Sequence, residues 1–414
     1  MSKTDRPLNI AVIGLGHRSS YLVSLLGKIY PNFILRYVVD PNEGYSRSNL
    51  AKWKVDNQNP EYFSDIETLL NHIDNIDGIM IGSSCDQHTP NAIAISETGI
   101  PVYLEKPVAT SFEQIKQLKD AYKNREHSVV VSFPLSQSPL FKEVQNQITD
   151  DKIGVINQVQ ASNNVPYGTL YYGYPSYRDY SVSGGLWVQK ATHDFDYINK
   201  ILGEPSSIAA MMNRSVFGGD MSDEIWCSQC EFSETCSESP EAFERTGNRL
   251  ATRGDHKCVW AKDILYQDAG SALIMYKSGA HANYSQNFVS RLDAATRGAT
   301  ITGYKGTVSF DWYTNKIHVF DHMKKSTEEI IINTSDVHYG GDERLLRNFA
   351  DVCLGNDTSK TDLASGLLSS AMCLGAKVAC HDQKYISIAS VQSEEFPYPD
   401  HQPIKTPLNL EPVY

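Results

Sequence analysis

The first residues that could bind a charged ligand form a glycine-rich turn close to the N-terminus. Residues 14–19 read Gly-Leu-Gly-His-Arg-Ser, follow an apolar run and precede a segment that can form a helix. Gly14 permits a tight turn, Gly16 lets the backbone approach a pyrophosphate, and a helix N-terminus offers its N–H groups to that anion. Ser19 replaces the usual third glycine, and its small side chain still allows close packing of helix on strand. The pattern predicts a dinucleotide site; the alternative is a glycine turn without a ligand.

Asp40 indicates which dinucleotide this turn would bind. It follows the second predicted strand, residues 33–39, and precedes a Pro-Asn turn. A carboxylate in this place can accept hydrogen bonds from an adenosine ribose diol, whereas a 2′-phosphate would meet its negative charge. The sequence therefore predicts NAD rather than NADP.

Four cysteines form a second group with possible ligand chemistry. Cys227 and Cys230 are separated by two residues and are followed by Cys236 and Cys258, with His256 as a possible substitute for the last. Four such ligands could complete a tetrahedral, structural zinc site and give a core to a charged, turn-rich segment. An iron–sulfur cluster fits this spacing less well. Unliganded thiols, or disulfides in an oxidising compartment, are the alternatives.

The elements that must position these residues change in character along the chain. Strands and helices alternate up to about residue 133, which predicts βαβ units and a parallel sheet. Beyond residue 135, consecutive strands with turns between them predict an antiparallel sheet with helices beside it. We therefore predict an α/β protein with a Rossmann domain at residues 1–134 and a second α/β domain at 135–390. The second domain carries the cysteine insert, 220–262, and residues 391–414 form a tail or arm.

Composition excludes several classes of function. The chain has 414 residues, of which 41% are hydrophobic and 21% charged, as in ordinary globular proteins. A formal net charge of −12 disfavours nucleic acid as a partner, because an acidic surface repels phosphates. Neither a signal peptide nor an apolar run long enough to span a membrane is evident. We therefore expect a cytoplasmic protein whose cysteines are thiols or metal ligands.

Four further segments follow one another along the chain: an Asp-Gln-His-Thr at 86–89, a Glu-Lys-Pro at 105–107, a glycine pair at 184–185 leading into His-Asp-Phe-Asp at 193–196, and a Leu-Gly-Glu-Pro at 202–205. Their order and spacing resemble the Gfo/Idh/MocA family of sugar and polyol oxidoreductases. The resemblance covers nearly the whole chain. It implies a C-terminal domain whose open, mostly antiparallel sheet carries the substrate site and mediates homodimers or homotetramers.

The resemblance also implies roles for particular residues. Lys106 would lie beside the nicotinamide and stabilise alkoxide charge or relay a proton, and His193 would take the hydroxyl proton. Many relatives carry an aspartate where this chain has Gln189, which cannot ionise, and Lys190 adjoins it. A surface lysine and a structural histidine are the alternatives. The predicted cofactor-binding residues are Gly14, Gly16, His17, Arg18, Ser19, Asp40, Ser83, Ser84, His88, Glu105 and Lys106.

Candidate substrate residues lie around the presumed catalytic helix. Tyrosines cluster between positions 167 and 180, and aromatic faces suit sugar C–H surfaces. Arg178 could hold an anionic substituent through a bidentate contact. A packed loop or an oligomer interface is an equally good interpretation of the tyrosines. The predicted substrate residues are Tyr177, Arg178, Trp187, Lys190, Asp194 and His338.

Three functions remain open from the sequence. The leading hypothesis is an NAD-dependent dehydrogenase or reductase that moves hydride at a ring carbinol of a sugar or cyclic polyol. The second is an NAD-dependent glycoside hydrolase that oxidises, eliminates, adds water and reduces again, as some members of the family do. The third is a non-catalytic, NAD-binding regulatory protein.

Overall fold

The computed structural model describes residues 6–248, 253–334 and 337–391, which divide into two compact units. The first holds the described residues up to Lys142 together with Thr334–Ala371. The second holds those of Glu143–Asn333 and from Met372 onward. Within the described residues, a parallel sheet dominates the first unit and a large, mostly antiparallel sheet the second, so the predicted fold class is confirmed.

The strands are, in chain order, β1 Leu8–Ile13, β2 Phe33–Val39, β3 Glu61–Phe63, β4 Gly78–Ile81, β5 Val102–Leu104, β6 Val129–Val131, β7 Ile156–Asn164, β8 Pro205–Asn213, β9 Ala269–Tyr276, β10 His281–Asn287, β11 Thr296–Gly303, β12 Gly306–Asp311, β13 Lys316–Asp321, β14 Ser326–Ile331 and β15 Ile386–Ser387.

The helices are α1 His17–Ile29, α2 Glu43–Lys52, α3 Ile66–Leu70, α4 His88–Ala94, α5 Phe112–Ala121, α6 Pro134–Gln137, α7 Pro139–Thr149, α8 Thr169–Gly173, α9 Pro175–Arg178, α10 Tyr180–Ser183, α11 Thr192–Leu202, α12 Pro240–Thr246, α13 Gly341–Cys353, α14 Leu363–Asp382 and α15 Ile388–Val391. A π-helical turn, Trp187–Ala191, leads directly into α11.

The first sheet has the strand order β3-β2-β1-β4-β5-β6, with every neighbouring pair parallel. Its central strands are apolar and almost fully buried, because helices cover both faces of a parallel sheet. The order reverses between β1 and β4. Ligands of open α/β sheets bind beyond the carboxyl ends of the strands at such a reversal. The turns after β1 and β4 therefore flank the expected nucleotide crevice.

Helix α13 belongs to the first unit, which differs from the sequence-based division of the chain. We predicted that residues 135–390 form one domain. Instead, Leu345, Leu346 and Phe349 of α13 share a core with Leu22 and Leu26 of α1. An amphipathic helix joins whichever core can cover its apolar face, and that partner lies far away in the sequence. The predicted tail, residues 391–414, lies outside the described residues apart from Val391.

The second sheet has the strand order β14-β13-β12-β11-β7-β10-β9-β8-β15. Its neighbours are antiparallel except for β7 and β10. Burial alternates along the central strands, as in β9, where Ile274 is 1% exposed and Leu273 is 51% exposed. One face therefore packs on the core, and the other remains open in this single chain.

Among the described residues, one helix is long and apolar enough to cross a membrane by length and composition, namely α14. Its most apolar window is 78% buried inside the protein. That degree of burial is typical of a core helix, and Leu363, Ala371 and Cys373 each have no exposed surface.

Candidate functional site

The glycine turn lies where β1 ends and α1 begins. Gly14 has a φ of +82°, and a Cβ there would meet the backbone of Ser83 at 2.5 Å, so a side chain would be both strained and obstructed. A Cβ on Gly16 would meet no protein atom within 4 Å, which leaves the backbone open to close approach. Asp40 closes the turn, because one of its oxygens accepts the Leu15 N–H at 2.9 Å.

This geometry fits a dinucleotide. Among the described residues, no side chain caps the N-terminus of α1 and no acidic residue lies in its first turn. The first N–H groups and the positive end of the helix dipole therefore suit a pyrophosphate. Asp40 keeps lone pairs for ribose hydroxyls after accepting its two backbone N–H groups. Buried Ser19 lies so close to the end of β4 that a Cβ on Gly82 would meet its Oγ at 2.1 Å.

Arg18 is committed to two carboxylates of the first unit. Its Nε donates to Glu105 at 2.9 Å, while Nη1 and Nη2 donate to the two oxygens of Asp342 at 2.8 and 2.5 Å. Burial alone would raise the pKa of Asp342, but Arg18 and His338 beside it hold that pKa well below its usual range. We predicted that Arg18 contacts the cofactor; the structure instead makes it an anchor for Glu105, because its charge is already balanced.

This anchor bears directly on Lys106. Glu105 is buried and also accepts the Ser132 hydroxyl at 3.0 Å. Lys106 follows it, is half-buried and precedes Pro107 through a cis peptide bond. Because β5 lies next to β4, and β4 next to β1, Lys106 stands at the same sheet edge as the glycine turn. The ion pair between Arg18 and Glu105 thus ties the lysine segment to the first turn of α1.

His88 supports the same edge from within. Its ring nitrogens lie 2.8 Å from the carbonyl oxygen of Pro107 and 3.1 Å from that of Ser83. Burial lowers the pKa of this imidazole, which favours the neutral form. His88 therefore joins the loop after β4 to the loop after β5, and its ring nitrogens contact backbone carbonyls and not the cofactor. Ser84 and His17 are exposed, and the His17 ring lies 5.4 Å from that of Trp53.

His338 belongs to the first unit. Its Nδ1 lies 2.9 Å from Asp342, and both it and Tyr339 have the left-handed backbone that non-glycine residues rarely adopt. Burial lowers the pKa of His338 despite its acidic neighbour. We predicted a substrate contact for His338; the structure shows a partner for the carboxylate that also holds Arg18.

In the second unit, the π-helical turn brings Lys190 against a tyrosine. Lys190 is 5% exposed, and its Nζ donates to the Tyr167 hydroxyl at 2.7 Å. The same nitrogen lies 4.7 Å from the ring centre of Tyr167 and 5.7 Å from that of Tyr171. Burial lowers the pKa of Lys190. Turns of π-helix are frequent at functional sites, because the extra residue redirects the side chains around it.

Asp194 is engaged in a buried ion pair. Its Oδ1 accepts from Nε of Arg297 at 2.9 Å, and its Oδ2 accepts from Asn163 and from Tyr284, each at 2.8 Å. Asp194 has no exposed surface and Arg297 is 4% exposed. The predicted substrate contact of Asp194 is therefore not supported, because its oxygens already bind three internal donors. His193, next to it, is 6% exposed.

Arg178 is also internally satisfied. It forms a bidentate pair with Asp263, and its Nη1 donates to the carbonyl oxygens of Tyr172 and Cys258 at 2.8 and 2.7 Å. Its side chain is 5% exposed. The predicted contact with an anionic substrate is not supported, because the guanidinium has its carboxylate within the chain. It instead fastens the cysteine insert to the tyrosine segment.

The tyrosine segment is mainly a packed loop. Tyr172 stacks on Phe217 at 4.1 Å and donates to the Gln267 carbonyl, and Trp187 is 1% exposed against Gly270. Both are core residues. Tyr177 is half-buried, with its ring 5.5 Å from that of Tyr171. Of the two interpretations left open by the sequence, packing accounts for most of this cluster.

The cysteine insert surrounds a cavity of about 300 Å³. The cavity is lined by Cys227, Cys230, Cys236 and Cys258, together with His256. In the part of the chain that the structure describes, no three His, Cys, Asp or Glu side chains converge on one metal position. Both nitrogens of His256 lie within 3.0 Å of backbone carbonyl oxygens. The predicted zinc site is not supported, since tetrahedral zinc needs its ligands at about 2.0–2.3 Å from one point.

Sequence reasoning overlooked two residues of this second cluster. Arg297 lies in β11, and its partner Asp194 is 103 positions away in the chain. A buried arginine in a strand would have been a usable signal, because a charge is rarely buried without a partner. Tyr167 was noted only as one of many tyrosines. Nothing local distinguishes it, since its proximity to Lys190 arises from the fold.

Two known protein families match consecutive parts of the chain. The family described as an oxidoreductase family with an NAD-binding Rossmann fold, Gfo/Idh/MocA, matches residues 8–133. The Gfo/Idh/MocA C-terminal domain matches residues 141–309. Together the two matches span well over half of the chain.

Individual relatives are distant but extensive. The chain is 23% identical to a Bacillus subtilis protein named as an oxidoreductase, YteT, over 84% of this chain and 89% of that one. It is 25% identical to a myo-inositol 2-dehydrogenase of Thermotoga maritima over 48% of this chain and 55% of that one. A solved levoglucosan dehydrogenase in complex with NADH and levoglucosan superposes with a TM-score of 0.72 at 14% identity, covering 92% of this chain and all of that one.

Proposed function

Since the chain belongs to the Gfo/Idh/MocA oxidoreductase family, we propose that it is an NAD-dependent enzyme that oxidises or reduces a ring hydroxyl of a sugar, sugar derivative or cyclic polyol. The observation that carries the proposal is the Arg18–Glu105 ion pair. It fastens Lys106 to the first turn of the helix whose N-terminus fits the pyrophosphate. A half-buried amine is thus held at the edge of the sheet where the nucleotide turn lies.

The proposed chemistry assigns separate roles to the cofactor, Lys106 and His193. NAD, when bound, accepts hydride from the carbinol carbon. Lys106 donates a hydrogen bond to the substrate oxygen and stabilises the negative charge that develops there. His193, on α11, is the family-implied acceptor of the hydroxyl proton. The names of relatives that act on inositols and levoglucosan support a cyclic polyhydroxy substrate.

A substrate screen tests this proposal directly. The protein is incubated with NAD and myo-inositol, scyllo-inositol, levoglucosan or free hexoses, and NADH absorbance is recorded. We expect stoichiometric NADH from at least one probe with wild type and none above background with Lys106→Met. Replacing NAD by NADP should lower the rate, because the added phosphate would meet Asp40. Tight NAD binding without oxidation of any cyclic polyol or sugar would contradict the proposed activity.

A second candidate is an NAD-dependent glycoside hydrolase. The observation that favours it is Gln189, which is 2% exposed and stands where the family resemblance implies an aspartate. A site without this carboxylate would transfer protons by other groups, which suits a cycle in which hydride passes to NAD and then returns to the substrate. Release of nitrophenol from a nitrophenyl glycoside, with catalytic NAD and no net NADH, would identify the hydrolase. Net NADH from a free sugar would identify the dehydrogenase.

We also propose that the open face of the second sheet forms a homo-oligomer interface. On this face, Met211 of β8 and Leu273 and Met275 of β9 are 79%, 51% and 41% exposed. Apolar side chains grouped on neighbouring strands suit a self-complementary contact.

Leu273→Lys should therefore shift the protein to a smaller species in light scattering coupled to gel filtration. An unpaired charge buried in an apolar interface costs on the order of several kcal/mol of association free energy. Met323→Lys, at an exposed turn residue, is the matched control and should leave the mass unchanged. A wild-type protein that is monomeric at micromolar concentration would contradict the interface.

A further inference from the structure

The hydroxyl of Tyr167 lies in an unusual electrostatic setting. Tyr167 follows β7 and is half-buried. Lys190, from the π-helical turn, donates to it at 2.7 Å, and Arg297 of β11 contributes a second positive charge nearby. Tyr313, in the turn between β12 and β13, adds a hydrogen bond.

The balance of these effects favours the ionised phenol. Burial alone would raise the pKa of Tyr167, but Lys190, Arg297 and the hydrogen bonds from Lys190 and Tyr313 lower it to about 8. The neighbouring Tyr171 of α8 behaves in the opposite way, because burial and the adjacent tyrosines raise its pKa. Asp194 of α11 is paired with Arg297, and its carboxylate also favours the charged form of Lys190.

Tyr167 also offers an ionisable group close to Gln189, where the family resemblance implies an aspartate. Gln189 adjoins Lys190 but has no proton to exchange, and a protonated Lys190 can donate but not accept. A phenolate held by a buried ammonium can do both, since it accepts a proton in one direction and returns it in the other. The Tyr167–Lys190 pair, here called the dyad, can therefore supply an acid–base function that Gln189 cannot.

We propose that Tyr167, held by Lys190, is the acid–base residue that exchanges the proton of the substrate hydroxyl. The inference rests on the proposed hydride transfer, and it replaces His193 by Tyr167 as the acceptor of the hydroxyl proton. During oxidation the carbinol C–H bond breaks and its electron pair passes with the hydrogen to NAD. The O–H bond breaks, the proton forms a bond with the Tyr167 oxygen, and the substrate is left with a carbonyl group. Reduction runs through the same steps in reverse.

The pH dependence follows from this assignment. Oxidation needs Tyr167 deprotonated, so kcat/KM for oxidation should rise with pH through about 8. Reduction needs the phenol and should fall over the same range. The charged or titratable groups facing this hydroxyl are Lys190, Arg297, Tyr171 and Tyr313, and the first two set the direction of the shift.

The test compares Tyr167→Phe with Tyr304→Phe, an exposed tyrosine in the turn between β11 and β12. Tyr167→Phe should lose about 10²–10⁴-fold in kcat, with NAD affinity unchanged. It should also lose the limb near pH 8, which is the rise in the rate of oxidation over that range. Tyr304→Phe should keep both the rate and the limb. Lys190→Met should move the limb to higher pH, because it removes the nearest positive charge. A limb that persists in Tyr167→Phe and disappears in His193→Gln would overturn the proposal in favour of the histidine.

A spectroscopic titration separates this inference from the proposed function. The ultraviolet difference between wild type and Tyr167→Phe reports phenolate directly and requires no substrate. A tyrosine that ionises near pH 8 in wild type, with no such ionisation in Tyr167→Phe, supports the assignment even if the screened sugars are not oxidised. If that difference titrates only near the ordinary tyrosine pKa of about 10, the dyad is inactive and the proposal fails, whatever the enzyme oxidises.

Discussion

Replacing Lys106 with methionine should remove nearly all turnover while NAD remains bound. The ammonium is the group that we place against the developing alkoxide, and loss of one such donor typically costs about 10²–10³-fold in kcat. Methionine is unbranched and of similar length, and Arg18, Glu105 and Asp342 are unchanged in this variant, so the fold and the glycine turn should persist. Single-turnover rates and NAD titration by protein fluorescence measure the two effects separately.

The matched control is Lys324→Met, which removes an exposed lysine on a turn of the second sheet. It should leave both the rate and NAD affinity unchanged. Lys106→Arg should recover little activity, because a planar guanidinium does not reproduce a compact ammonium. Full activity of Lys106→Met would mean that Lys106 is a surface residue. Preserved NAD binding and biological activity without turnover in wild type would support the regulatory alternative.

Asp194→Ala should destabilise the second unit by about 3–5 kcal/mol, because it leaves the buried guanidinium of Arg297 without its counter-charge. Asn163 and Tyr284 would also lose their acceptor. Urea unfolding followed by tryptophan fluorescence gives the free-energy change, and Trp187 and Trp312 are suitable reporters since both lie in the core of this unit.

Two controls separate the ion pair from general damage. Glu329→Ala removes the partner of Lys316 at a pair that is about two-fifths exposed, and should cost less than about 1 kcal/mol. The double variant Asp194→Leu with Arg297→Met should recover much of the lost stability, because no buried charge then remains unpaired. Unchanged unfolding of Asp194→Ala with complete loss of substrate binding would instead support the substrate contact that the sequence predicted.

Much of the fold was predictable because local pattern decided it. Strand β2 has the bounds that the apolar pattern predicts, and the fold class and the family are confirmed. Strand β14 carries no such pattern in its sequence, because it is an edge strand of mostly exposed polar residues. The assignment of α13 to the first unit could not be predicted, since an apolar face does not identify the core that covers it.

The sequence by itself determined the glycine turn, Asp40 and the Glu-Lys-Pro segment. Each of them depends on residues that are adjacent in the chain and on the strand order of a single parallel sheet. The tertiary structure alone decided which charges are available for chemistry. Arg178 and Asp194 are paired internally, and Arg18 braces the lysine segment. Tyr167 acquires its character from Lys190 and Arg297. The physical reason is that an ionisable group takes its properties from neighbours in space, and a buried group's neighbours lie on distant strands and helices.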